Sequence, residues 1–134
     1  MAFNRLRGNP EKTVILDSNA ILMLFEFSID LKSELTRLLG QYKIIIPSPI
    51  VEELIYLSKK GRGQKKVNAK ASLELIKKYD ILNIKAKNAD ESVFLLAKKT
   101  NGIVITNDRD LKNKLKEMSI PVIYLKGKKT LELI

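Results

Sequence analysis

The sequence predicts an α/β fold, with a mostly parallel sheet between two layers of helices. Short runs rich in β-branched residues alternate along the chain with longer stretches of helical periodicity. These runs are continuously apolar and end in a polar residue, as expected for parallel strands that are buried on both faces. Crossovers should be right-handed. The 134 residues are predicted to form one domain, with its core at about residues 13–125.

The first half of the chain supplies two predicted strands. Residues 13–17 form the first, because Val14–Leu16 runs directly into an acid, Asp17. Lys43–Ile46 forms the second and is closed by Pro47. The predicted helices lie at 19–27, at 31–39 with Asp30 as N-cap, and at about 49–60, with Ser48 as N-cap and Pro49 as the first helical residue.

The second half continues the alternation after a glycine-broken basic loop at Gly61–Lys66. Asn88 can cap a helix, with Glu91 at its third position as a variant of the capping box. Asn101–Gly102 marks a turn before a buried strand. In order, the remaining predicted elements are a helix at about 67–78, a strand at 81–84, a helix at 89–99, a strand at 103–106, a helix at about 108–118 and a last strand at 122–125.

Two absent residue types limit the chemistry. The sequence has no histidine and no cysteine, which excludes histidine-based triads, zinc sites built on either residue, and disulfides. Hydrolysis would then depend on carboxylates, lysine, hydroxyls or a metal held by oxygen, for which Mg²⁺ or Mn²⁺ is suited. No apolar run approaches the length of a membrane span, and the polar stretch Met1–Lys12 is no secretory signal. We therefore expect a cytoplasmic protein.

The net charge of +10, from 25 basic and 15 acidic residues, favours a polyanionic partner such as nucleic acid. A lysine-rich solvated surface is the alternative. Glycines in the predicted basic loop would let its backbone adapt to RNA, although charged loops of this kind also occur without a ligand. The residues predicted to grip RNA are Lys59, Lys60, Arg62, Lys65 and Lys66, with Lys126, Lys128 and Lys129 as the next candidates.

Four acids are predicted to lean toward one edge of the sheet. Asp17 ends the first strand and Asp108 follows the strand at 103–106, so both lie where parallel strands present their ligand-binding ends. Each could instead serve only as the N-cap of the next helix. Capping does not exclude metal ligation, so both roles stay open for these two residues.

Helix phase places the other two acids. Glu53 borders the apolar face of its helix and Glu52 points to solvent; pairing of Glu53 with a lysine is the alternative. Asp90 lies toward the buried side of its helix and Glu91 away from it; interaction of Asp90 with the helix dipole is the alternative. The apolar faces used for phasing are Ile50, Val51, Leu54, Ile55 and Leu57, then Val93, Phe94, Leu96 and Ala97, and, for the helix after Asp108, Leu111, Leu115 and Met118.

Carboxylates crowded at one edge repel each other and raise each other's pKa values, and a divalent cation relieves that repulsion. A bound cation also makes water more acidic and stabilises displacement at phosphorus. Together with the basic surface, Asp17, Glu53, Asp90 and Asp108 therefore indicate metal-dependent hydrolysis of phosphodiester bonds.

Four pieces of the sequence, in this order, resemble the PIN-domain nucleases. They are Leu16–Asn19, Val51–Leu54, Ala89–Asp90 with Ala97 seven residues past the acid, and Ile105–Asp110, and they span residues 13 to about 125. The segment Ala89–Leu125, with its TNDRDLK run and final Pro-Val-Ile-Tyr-Leu strand, is similar to the branch that contains rRNA-processing PIN endonucleases. Small archaeal VapC-type ribonucleases look similar too.

The resemblance implies a three-layer α/β/α fold and an endoribonuclease that uses Mg²⁺ or Mn²⁺ to cut RNA, expected to be single-stranded. A VapC-like protein would be the toxin of a toxin–antitoxin pair, with an antitoxin protein as partner and a homodimer as one arrangement. The sequence lacks the extra segments of eukaryotic rRNA-processing members, which argues against a role in ribosome assembly. The implied catalytic and metal-binding quartet is Asp17, Glu53, Asp90 and Asp108, supported by Asn19, Thr106, Asn107 and Asp110.

Other functions fit the sequence less well. A haloacid-dehalogenase-like phosphatase needs a second acid where Asn19 stands, and a receiver domain needs an acidic pair before its phosphoacceptor strand. A non-catalytic RNA-binding module of the same fold predicts binding without cleavage. A toxin, unlike an rRNA-processing nuclease, needs a neutralising partner.

Overall fold

The computed structural model describes residues 11–134, and within that range it has six strands and six α-helices. The strands β1–β6 span, in chain order, Lys12–Leu16, Tyr42–Pro47, Asp80–Leu82, Ile103–Ile105, Val122–Lys126 and Thr130–Leu133. The helices α1–α6 span Ser18–Glu26, Leu31–Leu39, Ser48–Lys60, Gly63–Leu75, Ala89–Thr100 and Arg109–Glu117, with a 3₁₀ helix at Ile76–Lys78. The prediction that Met1–Lys12 is no secretory signal concerns residues that lie almost wholly outside the described range.

All six strands join one sheet in the order β3-β2-β1-β4-β5-β6. Every neighbouring pair is parallel except β5 and β6, which are antiparallel. The chain adds β1 to β3 on one side of the sheet and β4 to β6 on the other, so the strand order reverses between β1 and β4. The predicted fold class, a three-layer α/β/α architecture around a mostly parallel sheet, is confirmed.

Apolar burial at the centre of the sheet sets the position of the polar residues that follow. Val14–Leu16 in β1 is 0% exposed, and the three residues of β4 are at most 7% exposed. Leu16 pairs with Ile105, so the next residues on each strand, Asp17 and Thr106, leave the sheet side by side. In open α/β sheets, the crevice beyond the strand ends at such a reversal of strand order is where ligands bind.

The C-terminal strand β6 is absent from the sequence prediction, which ends the strands at 122–125. Its backbone is held by side chains of α2: the Leu131 amide donates to Glu34 Oε1, and Arg37 donates to the Leu131 carbonyl, each at 2.8 Å. Glu34 and Arg37 also pair with each other at 2.9 Å. In the sequence these two residues look like an ordinary pair of helix neighbours, so their tertiary role is invisible there.

The predicted basic loop at Gly61–Lys66 is largely helical, and that prediction is wrong. Helix α4 begins at Gly63, so Lys65 and Lys66 lie on its first turn and the connection shrinks to two residues. A Cβ atom at Gly61 would stand 2.4 Å from the Leu57 carbonyl oxygen, so glycine permits this sharp turn. Helices α3 and α4 therefore form a tight hairpin and pack against each other.

Local capping signals are mostly present as predicted. Asp30 and Asn88 each accept a hydrogen bond from the backbone amide three residues later, at 3.1 and 2.8 Å. Ser48 is different, because α3 already begins at this residue and its hydroxyl accepts from the Ile84 amide at 3.2 Å. Within residues 11–134, no helix combines the length and the apolarity that crossing a membrane requires.

Helix phasing from the sequence is wrong at three side chains. Ile55 is 39% exposed and Met118 is 47% exposed, although both were placed on apolar faces. Glu91 is half-buried instead of pointing away, because its carboxylate accepts a hydrogen bond from the Lys87 amide at 2.9 Å. In the predicted capping box, the Glu91 carboxylate would have accepted a hydrogen bond from the backbone amide of Asn88 instead. These positions border their helix faces, where neighbouring elements decide which residues are covered.

Candidate active site

Asp17 forms the floor of the site at the carboxyl end of β1. Its side chain is buried, with 4% of the residue exposed. One carboxylate oxygen accepts a hydrogen bond from the Ala20 amide at 2.7 Å and so caps α1. The other accepts from the Thr106 hydroxyl at 2.6 Å, across the junction of β1 and β4. Capping and a place at the ligand-binding edge, which the sequence leaves as alternatives, are therefore combined in one residue.

Burial raises the pKa of the Asp17 carboxyl from its ordinary value of 3.8 to about 7. The hydrogen bonds from Thr106 and Ala20 oppose this increase because they stabilise the charged form, while the nearby Asp90 and Asp108 add to it. An acid with such a pKa is poorly compensated inside the protein. A cation at this position would favour its charged form.

A network of side chains ties the strand ends together around this floor. The Thr106 hydroxyl also accepts a hydrogen bond from the Asp108 amide at 3.1 Å. Asn19 accepts from the Asn107 amide at 3.2 Å, and Asn107 in turn accepts from the Leu125 amide at 2.7 Å. Three of the four predicted supporting residues thus join the ends of β1, β4 and β5. Since these bonds fix the backbone, they fix the acids next to it.

The four predicted acids line a single cavity of about 650 Å³. Asp17 is buried, Glu53 on α3 is half-buried, and Asp90 on α5 and Asp108 before α6 are exposed at the rim. Glu53 accepts a hydrogen bond from the Ser18 hydroxyl. Asp108 caps α6 by accepting from the amide three residues later at 3.1 Å, so it too combines both predicted roles.

Electrostatic effects indicate that the rim acids lie near one another. The pKa of Asp90 is raised, first by partial loss of hydration and then by the negative charges of Asp108 and Glu53. Lys114 on α6 acts in the opposite direction and lowers the pKa of Asp90. The cavity therefore concentrates negative charge within a protein whose net charge is +10.

The donor set fits a hard divalent cation by its chemistry, because every acid in it offers only oxygen. Within residues 11–134, however, no three acidic side chains are close enough together to make a ready-made metal site. The four acids line one cavity, but their carboxylates are not arranged around a single ion position. Binding a cation would thus require some of these side chains to come closer together, and the capping hydrogen bonds hold Asp17 and Asp108 where they are.

Among the predicted RNA-binding residues, Lys65 is the one that lines the cavity. The positions of its predicted companions follow from the helical hairpin: Lys59 and Lys60 end α3, Arg62 lies in the connection, and Lys66 follows Lys65 on α4. Asp110, predicted as a supporting residue, is exposed and does not line the cavity. The structure thus separates the basic residues into Lys65, which lines the cavity, and the others, which lie elsewhere on the helical hairpin.

Six further polar side chains belong to the site but are missing from the sequence prediction, and one of them, Glu26, lines the cavity from α1. Ser18 holds Glu53, and Lys114 lies near Asp90. Tyr56, Gln64 and Asn68 line the cavity from α3 and α4. Tyr56 stands three residues after Glu53, so helix phase could have placed it on the same side. Gln64 and Asn68 could not be found, because the prediction placed Gln64 in a loop. It placed Asn68 in the helix at about 67–78, whose buried face it did not assign.

Comparison with known proteins identifies the family. Residues 14–128 match the model of the PIN-like domain. The chain is 37% identical over 124 residues to "Ribonuclease VapC4" of Methanocaldococcus jannaschii, covering 90% of this chain and 95% of that protein. It is 32% identical over 129 residues to "Ribonuclease VapC9" of Archaeoglobus fulgidus, covering 96% and 94%.

A solved structure agrees on the fold. The PIN domain endonuclease Utp24 superposes with a TM-score of 0.75 at 22% identity, covering 93% of this chain and 92% of the other. At that identity the likeness concerns the fold alone. The resemblance seen in the sequence is confirmed by the family match and by both ribonuclease relatives. This chain is therefore a member of the PIN-like domain family.

Proposed function

We propose that this protein is an endoribonuclease that uses a divalent metal to hydrolyse phosphodiester bonds in single-stranded RNA. The observation that supports it most is that four carboxylates from separate elements line one cavity where the strand order reverses. The family membership and the two ribonuclease relatives support the same reaction. RNA as substrate would place the activity in the cytoplasm.

The proposed mechanism assigns a task to each residue of the cavity. Asp17, Glu53, Asp90 and Asp108 would hold the metal, which PIN-domain ribonucleases generally use. When bound, Mg²⁺ or Mn²⁺ supplies an acidified water and stabilises negative charge at the scissile phosphate. Thr106 and Ser18 orient two of these acids through hydrogen bonds. Lys65, which lines the same cavity, would neutralise a substrate phosphate.

The VapC relatives favour a toxin that is paired with an antitoxin protein over an RNA-processing nuclease. Both are ribonucleases of archaea, and this chain covers 95% and 94% of their lengths. The rRNA-processing alternative rests on the sequence resemblance of the segment Ala89–Leu125, because the likeness to Utp24 concerns the fold alone. An antitoxin partner is accordingly part of the proposal.

The test is cleavage of labelled single-stranded RNA by the purified protein in chelator, in Mg²⁺ and in Mn²⁺. We expect cleavage only with a metal. The matched pair Glu53→Gln and Glu52→Gln changes the same chemical group on neighbouring residues, of which Glu53 alone lines the cavity. Glu53→Gln should slow cleavage by about a hundredfold, because a metal ligand contributes several kcal/mol, and Glu52→Gln should match the parent. Equal rates in both variants, or cleavage in chelator, would contradict the mechanism.

A non-catalytic RNA-binding module is the second candidate. It is favoured by the absence, within residues 11–134, of three acids that are close enough to hold a metal ion. Such a module would bind the same RNA and leave it intact in either metal. The cleavage assay, run beside a binding assay, therefore separates the two candidates.

A further inference from the structure

The cavity extends past the four carboxylates along a surface that we call the helical wall. Helices α1, α3 and α4 pack together to form it, and its uncharged side chains are Leu22, Met23, Tyr56, Leu57, Gln64 and Asn68. The same helices also bring the charged side chains of Glu26, Glu53 and Lys65 to the cavity. The six uncharged side chains, which define the helical wall, are suited to a different part of a ligand than the acidic floor. The whole cavity, about 650 Å³, falls in the range of roughly 300–1,000 Å³ typical of small-molecule sites.

Two amides on the wall present a fixed pattern of donors and acceptors. Gln64 and Asn68 are one helical turn apart on α4, and Gln64 Nε2 donates to Asn68 Oδ1 at 2.9 Å. This bond leaves the Gln64 carbonyl oxygen as an acceptor and the Asn68 amino group as a donor. In the described part of the chain, neither of these two side-chain groups takes part in another hydrogen bond. A neighbouring acceptor and donor match the polar edge of a nucleobase, which amides commonly read by paired hydrogen bonds.

Tyr56 supplies a second, independent feature of the wall. It lines the cavity from α3 although 63% of the residue is exposed. An aromatic ring left in water at the mouth of a cavity gains little from packing within the protein. It is available as a platform on which an unpaired base can stack. Leu22, Met23 and Leu57 give the remainder of the wall the apolar character that suits the face of a base.

We infer that the helical wall is a subsite for one unpaired nucleobase. The base stacks on Tyr56, and Gln64 with Asn68 reads its polar edge. Lys65, which lines the same cavity from α4, takes the adjoining phosphate. The subsite selects single-stranded RNA, because a paired base can neither stack on a side chain nor offer this edge. The inference rests on the proposed function, since it names the part of the RNA that the wall recognises.

Binding is measured by fluorescence anisotropy with short labelled homopolymers of U, C and A. All proteins carry Asp17→Asn, so that the RNA stays intact. Tyr56→Ala should weaken binding about tenfold through loss of one stacked base, and Tyr56→Phe should retain it because the ring is kept. Ile55→Ala is the matched control, since Ile55 is the preceding residue on α3, is 39% exposed and does not line the cavity. Equal affinities for Tyr56→Ala and Ile55→Ala would overturn the stacking platform.

The amide pair is tested by base preference. In the double variant Gln64→Ala/Asn68→Ala, the affinities for U, C and A should converge, because stacking tolerates every base and the amides do not. Alanine favours helix, so α4 should persist in this variant. If the ratios of the three affinities are the same in the double variant as in the parent, Gln64 and Asn68 do not recognise the base. If the protein without Asp17→Asn cleaves no RNA while Tyr56-dependent binding persists, the enzyme proposal fails and the subsite stands. If the protein cleaves RNA but its binding does not depend on Tyr56, the enzyme proposal stands and the subsite fails.

Discussion

The floor and the helical wall of the cavity are held in place by different means. On the floor, Asp17 and Thr106 are buried at the ends of adjacent strands and hydrogen-bonded to each other. On the wall, Tyr56 and Gln64 are exposed and belong to a helical hairpin. Strand pairing therefore fixes the floor before any ligand arrives, whereas the wall has only helix packing behind it. The rigid floor is suited to hold catalytic groups in place, and the exposed wall is suited to bind part of a ligand.

The two regions also differ in what a substitution costs. A change on the floor alters a buried hydrogen-bond network, and its effect spreads to the strand ends that the network joins. A change at an exposed position of the wall alters mainly what the cavity can bind, since surface substitutions seldom change stability by more than about 0.5 kcal/mol. The predictions below test this division, beginning with the largest expected effect.

Asp17→Asn should abolish most of the cleavage and leave RNA binding in place. The substitution removes one negative charge from the proposed metal site while keeping the size of the side chain, and we expect a loss of about a thousandfold in kcat. The measurement is single-turnover cleavage at saturating Mn²⁺, with circular dichroism to verify the fold. A variant with full activity would show that the floor is not where the chemistry occurs.

Stability of the metal-free protein should fall as the pH rises through the range that Asp17 titrates. Its pKa is about 7 in the folded protein against an ordinary value of 3.8. Between these values the folded state binds the proton and the unfolded state does not, so the free energy of unfolding decreases from about pH 4 to pH 7 and is level above. The decrease should be on the order of a few kcal/mol. Urea unfolding in chelator at pH 5 and pH 8 measures it.

Asp17→Asn isolates this effect from that of the other acids. The variant has no titrating group on the floor, so its free energy of unfolding should change less between pH 5 and pH 8 than that of the parent. Glu52→Gln, which alters an exposed acid away from the cavity, should keep the parent's dependence. The same pH dependence in Asp17→Asn and in the parent would mean that the buried carboxyl is not responsible.

The smallest expected effect concerns the basic residues of the hairpin. Each phosphate contact contributes roughly 0.7 to the log–log dependence of single-strand binding on salt. Replacing Arg62, Lys65 and Lys66 with alanine should weaken RNA binding and flatten that slope by about 2. Since Lys65 alone of these lines the cavity, its single replacement should also lower affinity at low salt more than Lys59→Ala does. If the triple variant keeps the parent's salt dependence, these residues do not contact RNA phosphates. The next candidates for that role are Lys126, Lys128 and Lys129.

Local signals in the sequence were sufficient for the helix caps whose partner amide lies three positions along the chain. Asp30 and Asn88 could be predicted as caps from residue type and position, because the amide that each side chain binds lies only three residues further along the chain. The strand β6 was missed for the opposite reason, because it depends on hydrogen bonds between Leu131 and side chains of α2. The start of α4 was missed although the turn before it is local: Gly61 lies against Leu57, four positions earlier, and the glycines of this segment look the same in a loop.

The fold class and the four acids that reach the cavity could be read from local sequence patterns, because strand ends and helix phase follow from periods of two and 3.6 residues. The differences among those acids depend on contacts between distant parts of the chain. The Thr106 hydroxyl meets Asp17 across 89 positions of the chain, and Ser18 reaches Glu53 across 35. The register of β1 against β4 makes the first contact, and burial there raises the pKa of Asp17. The packing of α3 against α4 places Gln64 and Asn68 around the same cavity as Tyr56, a meeting of two helices that no local pattern encodes.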